Sequence, residues 1–140
     1  MTTQASNEFK KEMMDANIDF GSHTFKIALM QSGFVYNRVT HGAYADCSAS
    51  ELSTGSGYTA GGFTLTGVSL TQDDTNNQGK VTWNNAAWTA SGGSIVASGA
   101  IIYDDSHASD VIVGYIDFNG DQTTLDGGVF TVANIEVDVL

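Results

Sequence analysis

The segment IVASGAIIYDDSHASDVIVGYIDF, residues 95–118, is the centre around which the rest of this chain is expected to fold. Two apolar runs, 95–103 and 111–118, stand on either side of a polar, acidic turn. In each run both alternating sets of side chains are apolar or small, and β-branched residues are frequent. Such runs are typical of strands that are covered on both faces. The stretch therefore predicts an antiparallel hairpin of two central strands, which the rest of the chain must cover.

The composition predicts a single all-β domain. The 140 residues are enough to bury a core, and sixteen glycines without any proline favour strands joined by tight turns. The one cysteine, Cys47, excludes an internal disulfide and a metal site made of several thiolates. The first twenty residues contain no apolar signal segment, and no run is long enough to span a bilayer. We therefore expect a protein that is made and folded in a cytosol.

The charge balance is strongly acidic. Sixteen acidic residues face five basic ones, which gives a net charge of −11. Nucleic-acid binding depends on lysines and arginines that neutralise phosphates, and five basic residues are too few to build such a patch. An acidic shell keeps a protein soluble and discourages non-specific binding. We therefore expect neither nucleic acid nor a membrane as a partner.

The N-terminal segment differs in kind from the rest of the chain. Ser6 is placed to cap a short helix that runs to about Asp15, on which Phe9 and Met13 share one face. This segment covers one end of the sheet, forms an arm that docks on a neighbouring subunit or partner, or is frayed and disordered. We therefore divide the chain into an N-terminal helical arm, residues 1–20, and a single β-sandwich domain, residues 21–140.

About eight strands separated by turns are expected in that domain, which predicts an antiparallel β-sandwich, jelly-roll-like, with a short N-terminal helix or arm. Residues 31–50 have no sustained period and predict a long ordered loop with at most one short strand. The last strand changes phase, which requires a bulge or kink near Ala133 and Asn134. Besides the hairpin and this last strand, the expected strands are 24–30, 63–71, 80–83 and, after the break at Asn84 and Asn85, 86–88.

Three acidic turns, 74–79, 104–110 and 117–121, offer oxygen donors for a cation. The first resembles the start of a calcium loop, but its twelfth place is Asn85 and not the glutamate that closes such a loop. Asp, Asn and Gly are also the ordinary residues of hairpin turns, and Asn119-Gly120 is a favoured turn pair. We interpret all three as turns and expect no metal and no cofactor.

Few residues are candidates for catalysis or sugar binding. Cys47 follows His41 by six residues, but nothing in the sequence implies a carboxylate that orients them. Motifs of hydrolases, zinc proteases and phosphate-binding loops are absent from the sequence. Trp83 and Trp88, with several tyrosines, are either a sugar platform or part of a core or interface, and we favour the second interpretation. We therefore expect no enzyme.

Four segments occur together in a recognisable order: a short helical start leading to IDFGSHTFKIALM (18–30), GSGYTAGG (55–62), VTWNNAAWTASGGSIVASGAIIYDD (81–105) and VIVGYIDFNGDQTTLDGGVFTV (111–132). This combination resembles small virion structural proteins of tailed bacteriophages, a group that includes capsid decoration, or cement, proteins. The resemblance covers nearly the whole chain. Where such proteins often have a tryptophan-asparagine pair in the last strand, this chain has Ala133-Asn134 followed by acidic residues.

The resemblance implies a head decoration protein that is made in the host cytoplasm and located in the virion, on the outer surface of the head. It would bind the major capsid protein, self-associate as a homotrimer and stabilise the shell without catalysis. The expected partner interface is either the segment around Phe9 and Met13 or the loop with Phe34, Tyr36 and Tyr44.

Two other functions remain open. A tail- or fibre-associated module would bind a receptor or glycan and would expose Trp83 or Trp88 in a groove. An enzyme would need a pocket that joins His41, Cys47 and a carboxylate.

Overall fold

A computed structural model describes residues 2–140, with the backbone alone given for Thr2. The described chain consists of ten strands, two short helices and a 3-10 turn at Ser48–Ser50. The elements are β1 (Thr2–Ala5), α1 (Asn7–Met14), β2 (Phe25–Met30), α2 (Tyr44–Cys47), β3 (Phe63–Thr64), β4 (Ser69–Asp73), β5 (Gln78–Trp83), β6 (Ala86–Thr89), β7 (Ile95–Asp104), β8 (Ile112–Thr124), β9 (Val129–Val132) and β10 (Ile135–Val139).

The strands form an antiparallel β-sandwich, as the sequence predicts. One sheet has five strands in the order β1-β8-β7-β2-β3, and two smaller sheets have the orders β10-β5-β4 and β6-β9. All strand pairs are antiparallel. Apolar side chains of all three sheets belong to one buried cluster, so the smaller sheets together cover one face of the large one. The jelly-roll arrangement stays a prediction.

The predicted central hairpin is confirmed. β7 and β8 pair in the middle of the five-stranded sheet, and side chains on both of its faces are buried. One face of the pair contributes Ile102 and Ile116 to the main core. The other face contributes Ile101 and Tyr115 to a second apolar cluster, which residues 31–50 help to cover. The apolar character of both faces of this sequence is explained by these two clusters.

Residues 31–50 contain helical turns and no strand. This part of the chain makes only an isolated bridge between Ala43 and Val111 and another, at its end, between Met30 and Glu51. The Asp46 carboxylate accepts hydrogen bonds from the backbone N–H groups of Gly42 (3.1 Å) and Ala43 (2.9 Å), which turns the chain into α2. Local hydrogen bonds from one side chain to the backbone therefore favour a helical turn here over a strand.

The single strand predicted at residues 63–71 is wrong, because the chain changes sheet there. β3 pairs with β2 in the large sheet, whereas β4 pairs with β5 in the three-stranded one. Gly67 lies between them with φ of +68°, packed against the side chain of Asn84. This left-handed backbone suits glycine and ends the run of extended residues.

The two smaller sheets meet where two neighbouring chain segments bend side by side. Trp83 pairs with Ile135 and Ala86 pairs with Val132, so β5–β6 and β9–β10 form one ribbon that is broken at residues 84–85 and 133–134. Asn134 has φ of +52°. The predicted kink at Ala133–Asn134 is confirmed, and it moves the chain from the two-stranded to the three-stranded sheet.

The predicted N-terminal helix is also confirmed. The Ser6 hydroxyl accepts a hydrogen bond from the N–H of Phe9 at 2.9 Å and caps α1. The residues before Ser6 form β1, which pairs with residues 114–117 of β8. This strand is not among those predicted from the sequence. Whether residues 1–20 act as an arm stays a prediction.

Candidate functional site

The five residues of the predicted partner interface lie in two separate groups. Phe9 and Met13 lie on α1, whereas Phe34, Tyr36 and Tyr44 lie over the second apolar cluster. Phe9 is fully buried and Tyr36 is buried, while the other three side chains are half-buried. The role of these residues in an interface stays a prediction, and the surface that they offer is small.

Met13 lines a groove between α1 and the three-stranded sheet, together with Phe20, Leu70, Val81 and Val139. We call this the helix groove; its volume is about 180 Å³. Among the described residues that line it, Lys80 is the one with a charge. Leu70 is 62% exposed on the outer strand of its sheet, so this groove presents apolar surface to solvent.

The aromatic side chains of residues 31–50 point inward. The rings of Phe34 and Tyr36 lie 5.6 Å and 5.1 Å from the ring of Tyr115, and Tyr44 stacks on Tyr103 at 4.6 Å. Val35, between two of them, is 79% exposed. The sequence signal for this was the alternation of residues 34–36, which places consecutive side chains on opposite sides of an extended segment.

Val39 is also exposed on the same loop, at 72%. We call Val35 and Val39, with the half-buried Phe34, the loop surface. The valines rather than the larger aromatic residues therefore offer apolar contacts to a partner here. The two valines carry no distinctive sequence signal, because large aromatic residues are the usual anchors of an interface.

A buried carboxylate holds the segment that follows this loop. Glu51 accepts hydrogen bonds from the Tyr58 hydroxyl at 2.6 Å, from the Gly61 N–H at 2.7 Å and from the Tyr44 hydroxyl. The Tyr58 oxygen accepts in turn from the N–H of Leu29 in β2 at 3.0 Å. Burial, reinforced by Glu51, raises the pKa of both tyrosines, so they stay protonated donors. The network therefore fixes residues 44–61 against the large sheet.

All three histidines have structural partners. His23 Nδ1 lies 2.6 Å from Oδ2 of the fully buried Asp104, and His107 Nε2 lies 3.3 Å from Oε2 of Glu12. His41 accepts a hydrogen bond at Nδ1 from the N–H of Asn37 at 3.0 Å. The contacts of His23 and His107 join the end of β7 and the turn after it to the start of β2 and to α1, whereas the bond of His41 is local to its own loop.

Glu12 is the centre of a polar cluster at the base of α1. Its carboxylate lies 2.7 Å from Lys11 Nζ and accepts a hydrogen bond from the Asn17 amide at 2.6 Å. The bonds from Lys11 and Asn17 lower the pKa of Glu12 to about 2. This charged group is therefore placed to stabilise the fold rather than to transfer protons near neutral pH.

Cys47 is buried in the second apolar cluster. Burial, with a smaller contribution from Asp46, raises the pKa of the thiol to about 12. A cysteine nucleophile reacts as the thiolate, which this environment disfavours at neutral pH. That no enzyme is encoded stays a prediction.

The acidic turns bind their own backbone. Asp73 accepts from the N–H groups of Thr75 and Asn76, both at 3.1 Å, and closes the β4–β5 hairpin. The turn predicted at 74–79 is present but shorter, since residues 78 and 79 already belong to β5. Asp104 likewise accepts from the N–H of Ser106 at 3.0 Å. Within residues 2–140, no group of three or more His, Cys, Asp or Glu side chains is arranged to hold a metal ion.

Asn119-Gly120 lies inside β8 and is not a turn between two strands. Residues 117 and 122 of β8 face residues 99 and 97 of β7, so the extra residues form a bulge. Asn119 has φ of +58°, and its N–H donates to the Asp117 carboxylate at 2.8 Å. The same residues that favour a turn also suit a bulge, because both need positive φ.

The two tryptophans lie in the core, as we favoured. Trp83 packs against Phe25 with ring centroids 5.7 Å apart, and Trp88 packs against Phe63 at the same distance. Throughout the described chain every aromatic side chain is buried or half-buried. The exposed tryptophan groove of the glycan-binding alternative is therefore not present in residues 2–140.

These features define the chain as an antiparallel β-sandwich with an acidic composition and two small apolar surfaces. No protein-family model, no curated protein and no solved structure matches it significantly. In the part of the chain that the structure describes, every helix is too short to cross a membrane.

Proposed function

We propose that this chain is a non-enzymatic structural protein of a tailed-phage particle, which binds the outer surface of the capsid and stabilises it. The observation that carries the proposal is the exposure of apolar side chains at both regions expected to dock, Leu70 in the helix groove and Val35 and Val39 in the loop surface. The resemblance of the four sequence segments to virion proteins of tailed phages supports the particular location on the head.

The proposed mechanism is mechanical. Copies that self-associate as a homotrimer bridge neighbouring subunits of the major capsid protein. The apolar area buried at each contact favours the closed shell by at most about 25 cal/mol per Å², from which the cost of association is subtracted. A rigid scaffold suits this role because few side chains need ordering on binding. The acidic composition opposes aggregation when many copies are concentrated on one surface.

The experiment mixes the full chain with purified heads that were assembled without it. Light scattering gives the mass of the protein in solution, and co-sedimentation gives the number of copies on each head. We expect a trimer that binds in hundreds of copies and raises the melting temperature of the heads. Protein that stays in the supernatant at concentrations far above those in an infected cell would overturn the proposal.

Charged variants separate the two docking surfaces. Leu70→Asp adds a charge in the helix groove, and Val35→Asp adds one in the loop surface; both residues are exposed, so both variants should fold. Ser53→Asp adds the same charge at an exposed loop position outside these surfaces and is the matched control. We expect at least one of the first two variants to bind heads about tenfold more weakly than the control.

A further inference from the structure

A third surface lies beside β9, the outer strand of the two-stranded sheet. A cleft of about 540 Å³ separates the last part of β8 from β9, and its lining is formed by Phe118, Gln122, Thr124 and residues 129–134. The rings of Phe118 and Phe130, both buried, lie 6.1 Å apart beneath it. None of the lining residues belongs to the helix groove or the loop surface.

The cleft follows the edge of β9 and not one of its faces. Phe130 and Val132 point into the core, whereas Val129 and Thr131 are exposed, yet all four line the cleft. Consecutive side chains of a strand point to opposite faces, so a cleft that touches all of them must run along the strand edge.

That edge has no partner strand in residues 2–140. β9 pairs with β6 alone, and no hydrogen bond joins its outward main-chain groups to another described residue. Across the cleft, Gln122–Thr124 pairs with β7 on one side, and within residues 2–140 the pairing of β1 with β8 extends as far as Asp117. Unpaired N–H and C=O groups along such an edge form a template for another strand.

The loop of residues 125–128, which connects β8 to β9, is fixed in place by hydrogen bonds at one end of the cleft. The N–H of Ala90 donates to Gly128 and the N–H of Gly127 donates back to the Ala90 carbonyl, each at 2.8 Å. The Asp126 carboxylate also accepts from the N–H of Gly92 at 3.0 Å. These bonds hold the start of β9 against β6, so β8 and β9 separate although only four residues connect them. The cleft is therefore preformed.

The charges around the cleft select its occupant. None of the described residues that line it is charged, whereas Asp121, Asp126 and Glu136 lie close to the lining residues in sequence. Residues 81–140 contain no lysine or arginine at all. The complementary segment is therefore uncharged in its middle and basic at its ends.

We propose that the cleft binds an extended segment of another virion protein, uncharged and strand-forming in its middle and flanked by lysine or arginine, which adds a strand to the edge of β9. That the segment comes from a virion protein rests on the proposed function. A second copy of this chain, pairing through its own β9 edge, fits less well, because both chains carry a net charge of −11 and residues 81–140 of neither contain a lysine or arginine.

The test uses a labelled peptide with three Val-Thr repeats between pairs of lysines, added to the full chain. Fluorescence anisotropy at about 0.15 M salt, where the Debye length is about 8 Å, measures binding with long-range attraction screened. Amide hydrogen exchange measures protection of Val129–Val132. The control peptide has the same core between pairs of glutamates. We expect the basic peptide to bind and protect β9, and the acidic one to bind at least about tenfold more weakly.

A matched pair of variants separates the edge from the rest of the surface. Thr131→Lys places a cation on the open edge of β9, whereas Ala87→Lys places one at the residue that pairs with it on β6. Both side chains are exposed. We expect Thr131→Lys to weaken peptide binding about tenfold and Ala87→Lys to change it less than about twofold, since only the first lies on the edge that the added strand would use.

The proposal is overturned by an absence of binding, by binding without protection of β9, or by equal losses in the two variants. Head binding tests the source of the segment: Thr131→Lys should bind heads more weakly than Ala87→Lys, and equal binding would overturn a virion source. If the unmodified chain ignores heads while the peptide still protects β9, the proposed function fails and the strand-binding cleft stands.

Discussion

At the scale of single residues, two glycines show how tightly the loops are packed against the sheets. A Cβ atom added to Gly62 would lie 2.1 Å from the carbonyl oxygen of Ile27, and one added to Gly57 would lie 1.9 Å from that of Thr89. Both residues also have positive φ. The glycine-rich run that precedes β3 is therefore required by close backbone approach as well as by turn geometry.

Gly62→Ala is expected to lower the free energy of unfolding by more than about 3 kcal/mol, because a backbone clash adds to the cost of a left-handed alanine. Gly33→Ala is the matched control, since Gly33 has a similar φ of +82° and open space around its Cβ position. The control should lose only about 1 kcal/mol. Urea unfolding at unchanged slope measures both, and equal losses would show that the contact with Ile27 is unimportant.

At the scale of elements, α1 depends on one serine. The Ser6 hydroxyl accepts from the N–H of Phe9 and donates to the carbonyl of Ile112, which belongs to β8. The side chain is fully buried. It therefore both starts the helix and attaches it to the central hairpin.

Ser6→Ala should destabilise the fold by about 1–3 kcal/mol, because it leaves a helix N–H and a strand carbonyl without their partner. Ser53→Ala, in an exposed loop, is the control and should change stability by less than about 0.5 kcal/mol. The midpoint of urea unfolding provides the measurement. A loss in Ser6→Ala no larger than in the control would contradict the anchoring role.

The elements that sequence predicts well are those determined locally. The hairpin of residues 95–118, the Ser6 cap and the kink at Asn134 each follow from a periodic pattern or a favoured residue type. The division into β3 and β4 could not be predicted, because alternation continues across Gly67 while the chain changes sheet. β1 was missed because its four residues carry little pattern and gain their order from β8.

The candidate surfaces were predicted only as regions. The sequence indicated the N-terminal segment and the loop at 31–50, but it could not tell which side chains face outward there. Tyr36 is buried and the neighbouring Val35 is exposed because the ring of Tyr36 stacks on Tyr115, and this tertiary contact decides which side of the loop faces the sheet. The cleft beside β9 was missed altogether, since it depends on β8 and β9 separating after a short connection.

For the whole molecule, low pH is expected to destabilise the fold by protonating carboxylates that form bonds in it, and Glu12 is the clearest case. Glu12 is nearly buried, joins α1 to His107 after β7, and lies 2.7 Å from Lys11. Its pKa is about 2 in the folded chain against an ordinary value of 4.5, so the unfolded chain binds its proton more readily. Glu12 therefore stabilises the fold fully above pH 4.5, and this contribution is lost as the pH falls toward 2.

Glu12→Gln should accordingly make stability less dependent on pH between 2 and 4.5, while lowering it at neutral pH. Lys11→Met removes the largest cause of the lowered pKa and should narrow the same window, because Asn17 still donates to the carboxylate. Urea unfolding at several pH values across the window measures the slope for each protein. If the free energy of unfolding of Glu12→Gln depends on pH as steeply as that of the unmodified chain, the acid sensitivity of the sandwich arises from other carboxylates. The contact of Glu12 with His107, which links α1 to the central hairpin, would then not be the cause.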